Sequence, residues 1–463
     1  MPVCHAGHRV FRSLLAGLSG LTVAAFILFN MDISSITLFQ GAYYTPSPKD
    51  TTSSSSSDPD TNADRTLGSK RCRYLPGAND TLVIIRTGAT ALRTRLPVHF
   101  QTTLQCIPHY VILSDMEEEF QGHRIHDVLS GISPEMQASA PEFAFYREVH
   151  RNQHRVSEFI GENTNAVNAS AFHRKAWDLD KWKFLPSAQR AFEARPDAKW
   201  FVFIEDDTFL VWSNLLGWLG RLDWREPYFL GLPVTMEDQL FAYGGSGWVL
   251  SRAAIQRITE HIAFVADHYE DFTNRSAYGD LVLGHVAEQS GLLLTGAWPL
   301  IQRERPSTME YTEDVLCYPV VTFHHVEAIE VQAIWNLEQE MIATATKHEV
   351  PAPLLHSDVF NRLIYPHLAA RIGDWDNFSD GEEMVLNVDE GFEECKRHCQ
   401  EDPECVQLRA TSRKCTLAHA ITLGWMSDEE MNSTSGWMMD RIAELNANVS
   451  CGGGKWDFDT VNG

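Results

Sequence analysis

The stretch KWFVFIEDDTFL, Lys199 to Leu210, constrains this chain more than any other. Trp200, Phe201, Val202, Phe203 and Ile204 form an unbroken apolar run, the pattern of a strand covered on both faces in the parallel sheet of an α/β domain. Glu205, Asp206 and Asp207 follow at once. Carboxylates packed this closely repel one another unless a cation or hydrogen-bond donors lie among them. Ligands of open α/β sheets bind just beyond the carboxyl ends of the strands, where this cluster falls. Oxygen ligands of this type suit Mg²⁺ or Mn²⁺, ions that commonly grip substrate phosphates. A solvated acidic turn is the competing reading of the same three residues.

A chain of 463 residues with 44% hydrophobic content can bury one large core or two smaller ones. Its net charge of −24 argues against nucleic acid as a partner, because phosphate binding needs clustered Lys and Arg. Residues 13–31 carry no charge, with Arg9 and Arg12 before them and Asp32 after. That length just spans a bilayer as a helix. Positive charge on the short amino-terminal side predicts a cytosolic tail over 1–12 and a lumenal remainder. A cleaved signal peptide is the rival, since Ser19, Gly20 and Ala25 are small. Either device sends the rest of the chain into the secretory pathway.

Asn-x-Ser/Thr sequons at Asn79, Asn168, Asn274, Asn377, Asn432 and Asn448 all lie beyond this segment. Cys4 apart, the remaining eight of nine cysteines fit disulfides in an oxidising compartment. Residues 43–70, with Thr45-Pro-Ser-Pro and the run Thr51 to Ser57, have little to pack and read as a stem.

The head begins at Thr81. Leu82-Val-Ile-Ile reads as a strand, Arg86-Thr87-Gly88 as a turn, Leu92 to Leu104 as a helix, and His109 to Leu113 as a second strand ending at Ser114-Asp115. This order is a βαβ unit. Phe184 to Arg195 has helical spacing, and Ser213 is placed to cap a helix over 214–222. Tyr228-Phe-Leu-Gly-Leu is a further strand, so the domain is α/β with a largely parallel sheet.

Gly244, Gly245 and Gly247 precede the apolar Trp248-Val-Leu and a helix near 252–262. Such glycines let backbone approach a ligand, although a tight turn needs them equally. Asp280 stands before a helix over 282–289 and by itself reads as an N-cap. Val320 to Val326 is a strand ending in His324 and His325, either of which could complete a carboxylate-bound Mn²⁺ site.

Taken in order, IIRTGATALRTRL, YVILSD, KWFVFIEDDTFL, FAYGGSGWVLSR, YGDLVLGHVAEQSG and TFHHVE resemble the fringe-like β-1,3-glycosyltransferases over about 82–327. The resemblance implies a GT-A-like nucleotide-sugar-binding domain over 71–355, with a mixed, mostly parallel sheet. It further implies Mn²⁺- or Mg²⁺-dependent, inverting transfer of a hexose or N-acetylhexosamine from a UDP-sugar to a hydroxyl of a glycan or glycoprotein. By this likeness Asp207 binds the metal with His324 (or His325), and His324 is preferred. Asp206 lies near the ribose, and Asp280 is the catalytic base. Arg86, Thr87, Arg95, Asp115, Glu205, Gly244 and Gly245 line the donor pocket. Anchor and stem match the layout of a single-pass type II Golgi enzyme. Fringe enzymes carry two acids where this chain has Gly279-Asp280, and Glu205 stands where they carry Asp. The first departure keeps open a degenerate protein that binds carbohydrate or protein without turnover.

Residues 356–463 read as a separate unit. Cys395-x3-Cys399-x5-Cys405-x9-Cys415 follows a break at Pro351-Ala-Pro, with the first two cysteines on a short amphipathic helix. The segment resembles a PAN/apple domain, a small disulfide-rich α+β module that binds protein or carbohydrate. The resemblance implies Cys395 with Cys415 and Cys399 with Cys405. Cys72, Cys106, Cys317 and Cys451 then have three possible pairings.

Overall fold

The computed structural model describes residues 71–164, 169–236, 238–345, 350–386, 391–427 and 432–456. The expected tail over 1–12, anchor over 13–31 and stem over 43–70 lie outside them, as does Asn168. Among the described residues no helix is long and apolar enough to cross a membrane.

The strands of the head are β1 (Thr81–Arg86), β2 (Tyr110–Ser114), β3 (Glu118–Phe120), β4 (His123–Asp127), β5 (Trp200–Glu205), β6 (Phe209–Leu210), β7 (Phe229–Gly231), β8 (Pro233–Met236), β9 (Gln239–Ala242), β10 (Trp248–Ser251), β11 (Leu294–Gly296) and β12 (Thr322–Phe323). Eight of them form one sheet in the order β11-β7-β10-β5-β1-β2-β4-β3. Strands β4, β2, β1, β5, β7 and β11 run one way, and β10 and β3 run against them. The mixed, mostly parallel α/β fold read from the sequence is therefore present.

The apolar run of β5 explains its central position. Phe201, Val202, Phe203 and Ile204 are all buried, as is every residue of β1. The Phe203 ring stacks on Trp248 of β10 at 3.7 Å between centres. A large core on one side joins these strands to helices Phe143–Arg151, Phe184–Ala194, Arg252–Phe264 and Gly279–Gln289. The strict βαβ alternation fails between β4 and β5, where several successive helices, from Pro134–Ser139 to Phe184–Ala194, intervene.

Ser213 does not cap a helix. The helix is Trp212–Leu219, which places Ser213 one residue inside it. There its N–H and hydroxyl donate to buried Glu338 at 2.7 and 2.8 Å. Burial, acting against these bonds, pushes the Glu338 carboxyl up to about 7. A carboxyl whose pKa is higher folded than unfolded stabilises fully below its ordinary value, and that contribution is lost as pH rises through the folded value. Glu338→Gln does not titrate. Its stability relative to wild type is expected to rise by up to about 3 kcal/mol from pH 4.5 to 7. Denaturant midpoints of the two proteins across that range check this, and a flat difference contradicts it.

All four disulfides are formed: Cys72–Cys106, Cys317–Cys451, Cys395–Cys415 and Cys399–Cys405. The last two are the nested pair expected from the PAN/apple likeness. The C-terminal region holds a five-stranded antiparallel sheet and helix Gly391–Glu401 around a small core that includes four of these cysteines. Asn377 departs from the other sequons among the described residues. It is fully buried and its amide donates to the Leu408 carbonyl at 3.2 Å, so this position is closed to a glycan in the folded protein.

Candidate active site

Strand β5 delivers its three acids to the carboxyl edge of the sheet, and the neighbouring strands bring partners to them. At the end of β1, Arg86 forms an ion pair with Glu205. Its guanidinium lies 3.5 Å from the centre of the Phe184 ring. Arg86 Nε and Nη1 are buried without a partner. Glu205 is pushed up to about 7 by burial, together with the charges of Asp180 and Asp207 and against the pull of Arg86.

Asp206 is held from three directions. The Thr87 hydroxyl donates to it at 2.5 Å, Arg95 at 3.0 Å, and His99 Nε2 donates to its backbone carbonyl at 2.9 Å. Asp115, at the end of β2, accepts from the Ala89 N–H at 2.8 Å and pairs with buried Lys183 at 3.0 Å. Lys183 also donates to the Thr87 carbonyl, which joins Asp115 to the turn after β1. Burial opposes the charge on Lys183, but Asp115 and Asp180 outweigh it and raise its pKa.

Strand β12 carries the histidines to Asp207. It pairs with β6 rather than with the main sheet, Thr322 opposite Leu210 and Phe323 opposite Phe209, and Val326 N–H donates to the Asp207 carbonyl. The expected strand over 320–326 is thus only two residues long, because the chain turns at His325. His325 has φ of 59°. Successive side chains of an extended strand point to opposite faces, and this left-handed residue breaks that alternation. Both imidazoles consequently face Asp207, with ring centres 3.6 Å apart. His324 Nε2 is 3.4 Å from Asp207 Oδ1, and His325 Nδ1 is 3.5 Å from Oδ2. One ligand atom from each of the three residues falls within 4.8 Å of the others.

Asp207 Oδ1 is buried and makes no hydrogen bond of ordinary geometry. A buried carboxylate oxygen without a donor is costly unless a cation meets it. One acid and two imidazoles are also a donor set that Mn²⁺ accepts. The residues therefore fit the metal expected from the sequence. Burial would raise the Asp207 pKa, yet His324 and Arg95 hold it well below the usual carboxylate range. His324 is raised in return: desolvation opposes its charge and Asp207 overcomes the effect.

Gly244 and Gly245 lie between the Asp207–His324–His325 cluster and Asp280. A Cβ on Gly245 would fall on the His324 ring, so only glycine lets that imidazole reach Asp207. Gly245→Ala is expected to weaken Mn²⁺ binding by about 5- to 150-fold while the protein stays folded, since overpacking costs about 1–3 kcal/mol. Titrating Mn²⁺ alongside a melting curve checks this. Asp280 is the second residue of helix Gly279–Gln289, whose cap position is Tyr278. The N-cap reading of Asp280 is therefore replaced by another role. Its Oδ2 accepts from Gly244 N–H at 2.9 Å and its Oδ1 from Leu281 N–H at 2.9 Å. Burial raises its carboxyl pKa against those bonds.

The candidate site residues Arg86, Thr87, Arg95, Asp115, Glu205, Asp206, Asp207, Gly244, Gly245, Asp280, His324 and His325 thus lie in one network along a single edge of the sheet. Lys183, His99, Tyr243 and Phe184 belong to it without having been singled out. Tyr243 packs edge-on to His324 at 5.7 Å, and burial pushes its hydroxyl up to about 12. Of the four, only Lys183 left a trace in the sequence, as a charge inside the aromatic run Trp182-Lys183-Phe184.

Residues 77–296 match the family model described as fringe-like. That segment belongs to the fringe-like family. The chain is similar to a protein named beta-1,3-glucosyltransferase from Mus musculus, 30% identical over 149 residues, which are 30% of this chain and 28% of the relative. The Homo sapiens protein of the same name is 30% identical over 144 residues, 29% of this chain and 27% of the relative. The similarity thus spans under a third of the length of these relatives. Where fringe enzymes carry a further acid, the fringe-like domain has Gly279 for a packing reason: a Cβ there would strike the Phe184 ring and the Lys181 carbonyl.

Proposed function

We propose that this chain is a Mn²⁺- or Mg²⁺-dependent inverting glycosyltransferase that moves a hexose or N-acetylhexosamine from a UDP-sugar to a hydroxyl of a glycan or glycoprotein. The observation that carries the reading is the convergence of Asp207, His324 and His325 around an unsatisfied buried carboxylate oxygen, with Asp280 held through Gly244 beside them. The activity for which the relatives are named agrees with it.

When bound, the cation supplies Lewis-acid neutralisation of the departing pyrophosphate. The protein's own residues do the rest. Arg86, with two buried nitrogens free, and Arg95 offer further positive charge to the donor phosphates. Asp206 and Asp115, held by Thr87 and Lys183, form the polar floor for the nucleoside. Asp280 accepts the proton of the acceptor hydroxyl, and attack from the face opposite UDP inverts the sugar carbon. Its raised pKa strengthens it as a base, and its bond from Gly244 fixes its orientation.

We place the enzyme in the Golgi membrane as a single-pass type II protein, with the PAN-like unit from 356 onward in the lumen. Four formed disulfides support an oxidising compartment. The test is to incubate the lumenal chain with UDP-glucose, UDP-galactose and UDP-N-acetylglucosamine, with and without Mn²⁺. Mn²⁺-dependent sugar release or transfer supports the reading. UDP binding without turnover would mark a degenerate binding protein, and absence of UDP binding would overturn both.

A further inference from the structure

After β11 the chain runs past the metal cluster and lines a cleft of about 480 Å³ with Trp298, Arg303, Glu304, Met309, Glu310 and Thr312 among its walls. The cleft adjoins the cluster. The Glu304 carbonyl accepts from His324 N–H at 3.4 Å, and the Arg303 guanidinium lies 5.7 Å from the centre of the Tyr243 ring, which itself packs on His324.

Its chemistry differs from that of the donor side. Arg303 is the one cation among the lining residues, against Glu304 and Glu310. Asp380 of the C-terminal region adds a third negative charge near Glu310: partial desolvation, then Asp380 and Glu304, raise that carboxyl. Phosphate, sulfate or sialic acid would be repelled here. Trp298, by contrast, is 45% exposed at the rim. An exposed indole beside carboxylates suits a sugar, which offers an apolar ring face and hydroxyl donors.

The outer wall of the cleft is braced by the disulfide-rich region. Tyr311 and Ile421 exchange backbone hydrogen bonds of 2.8 and 3.0 Å, and Gly424 N–H donates to the Ser307 carbonyl at 2.7 Å. The Arg305 guanidinium lies 4.8 Å from the centre of the Trp425 ring.

We propose that this cleft is the acceptor site, that it takes an uncharged glycan, and that the C-terminal unit is its outer wall. The inference rests on the transferase reading above. Its test uses the lumenal chain saturated with UDP and Mn²⁺. Saturation-transfer NMR is then run with p-nitrophenyl glycosides of neutral hexoses and N-acetylhexosamines, and with their sulfated and sialylated counterparts. Neutral glycosides are expected to bind in preference to the charged ones. Trp298→Ala is expected to weaken them at least tenfold, and Trp425→Ala about threefold, with UDP–Mn²⁺ affinity as in wild type. Wild-type glycoside affinity in Trp298→Ala, preference for sulfated or sialylated probes, or no binding of any neutral probe would overturn the cleft assignment. Unaltered binding in Trp425→Ala would overturn the role of the C-terminal wall. Failure of wild type to bind UDP with Mn²⁺ would instead count against the transferase reading itself.

Discussion

Asp207→Ala is expected to abolish Mn²⁺-dependent binding of UDP-sugars, a loss of about 100-fold or more in UDP affinity measured with the metal present. The carboxylate is the one anionic member of the cluster, and it touches both imidazoles and Arg95. Removing it leaves two stacked imidazoles without the carboxylate they share, and Arg95 with Asp206 as its remaining acidic partner. The fold should survive, because β5 and β6 are pinned by buried apolar residues on either side of the turn. Calorimetric titration of UDP, with and without Mn²⁺, checks the effect, with circular dichroism as the control for folding. Unchanged UDP affinity in Mn²⁺ would sink the assignment. His324→Ala should reproduce the loss because the ring is buried against Gly245. His325→Ala should fall short of it, since that ring is half-exposed and water can enter its place.

How much of this site was legible depends on how local each cause is. The apolar run of β5 and its three acids are read directly, since burial on both faces and a strand end are properties of consecutive residues. The β1 and β2 strands and the turn Arg86-Thr87-Gly88 are legible for the same reason. The choice between His324 and His325 was not. It dissolves in the left-handed φ at His325, a backbone state that a histidine carries no clear mark for. Lys183 was missed because its partners Asp115 and Thr87 are far away in sequence and meet it only after the helices of 134–194 fold over the sheet. Ser213 was misread as a cap because Glu338, more than a hundred residues on, outbids the helix end for its hydroxyl. The pairing of Cys72, Cys106, Cys317 and Cys451 likewise follows from tertiary placement, with Cys317–Cys451 closing 134 residues of chain. Spacing leaves such pairings open.

Asp280→Asn is expected to lower turnover by roughly 10² to 10⁴, the usual worth of general-base catalysis, with donor affinity little changed. The substitution is informative because the amide keeps the shape of the side chain and one of its two structural bonds. An Asn oxygen can still accept from Gly244 N–H, the contact that holds the glycine turn against helix Gly279–Gln289. The amide NH2 then replaces the oxygen that accepts from Leu281 N–H, a first-turn bond whose loss costs about 1 kcal/mol of stability while Tyr278 keeps the cap position. What the amide cannot do at neutral pH is take a proton. A fall in turnover with unchanged UDP–Mn²⁺ binding, and with melting lowered only by the loss of that one bond, therefore isolates proton transfer from positioning. A fall in donor affinity of the same size would instead show that the carboxylate serves Gly244 and, through Gly245, the seat of His324. Near-normal turnover would place the base elsewhere.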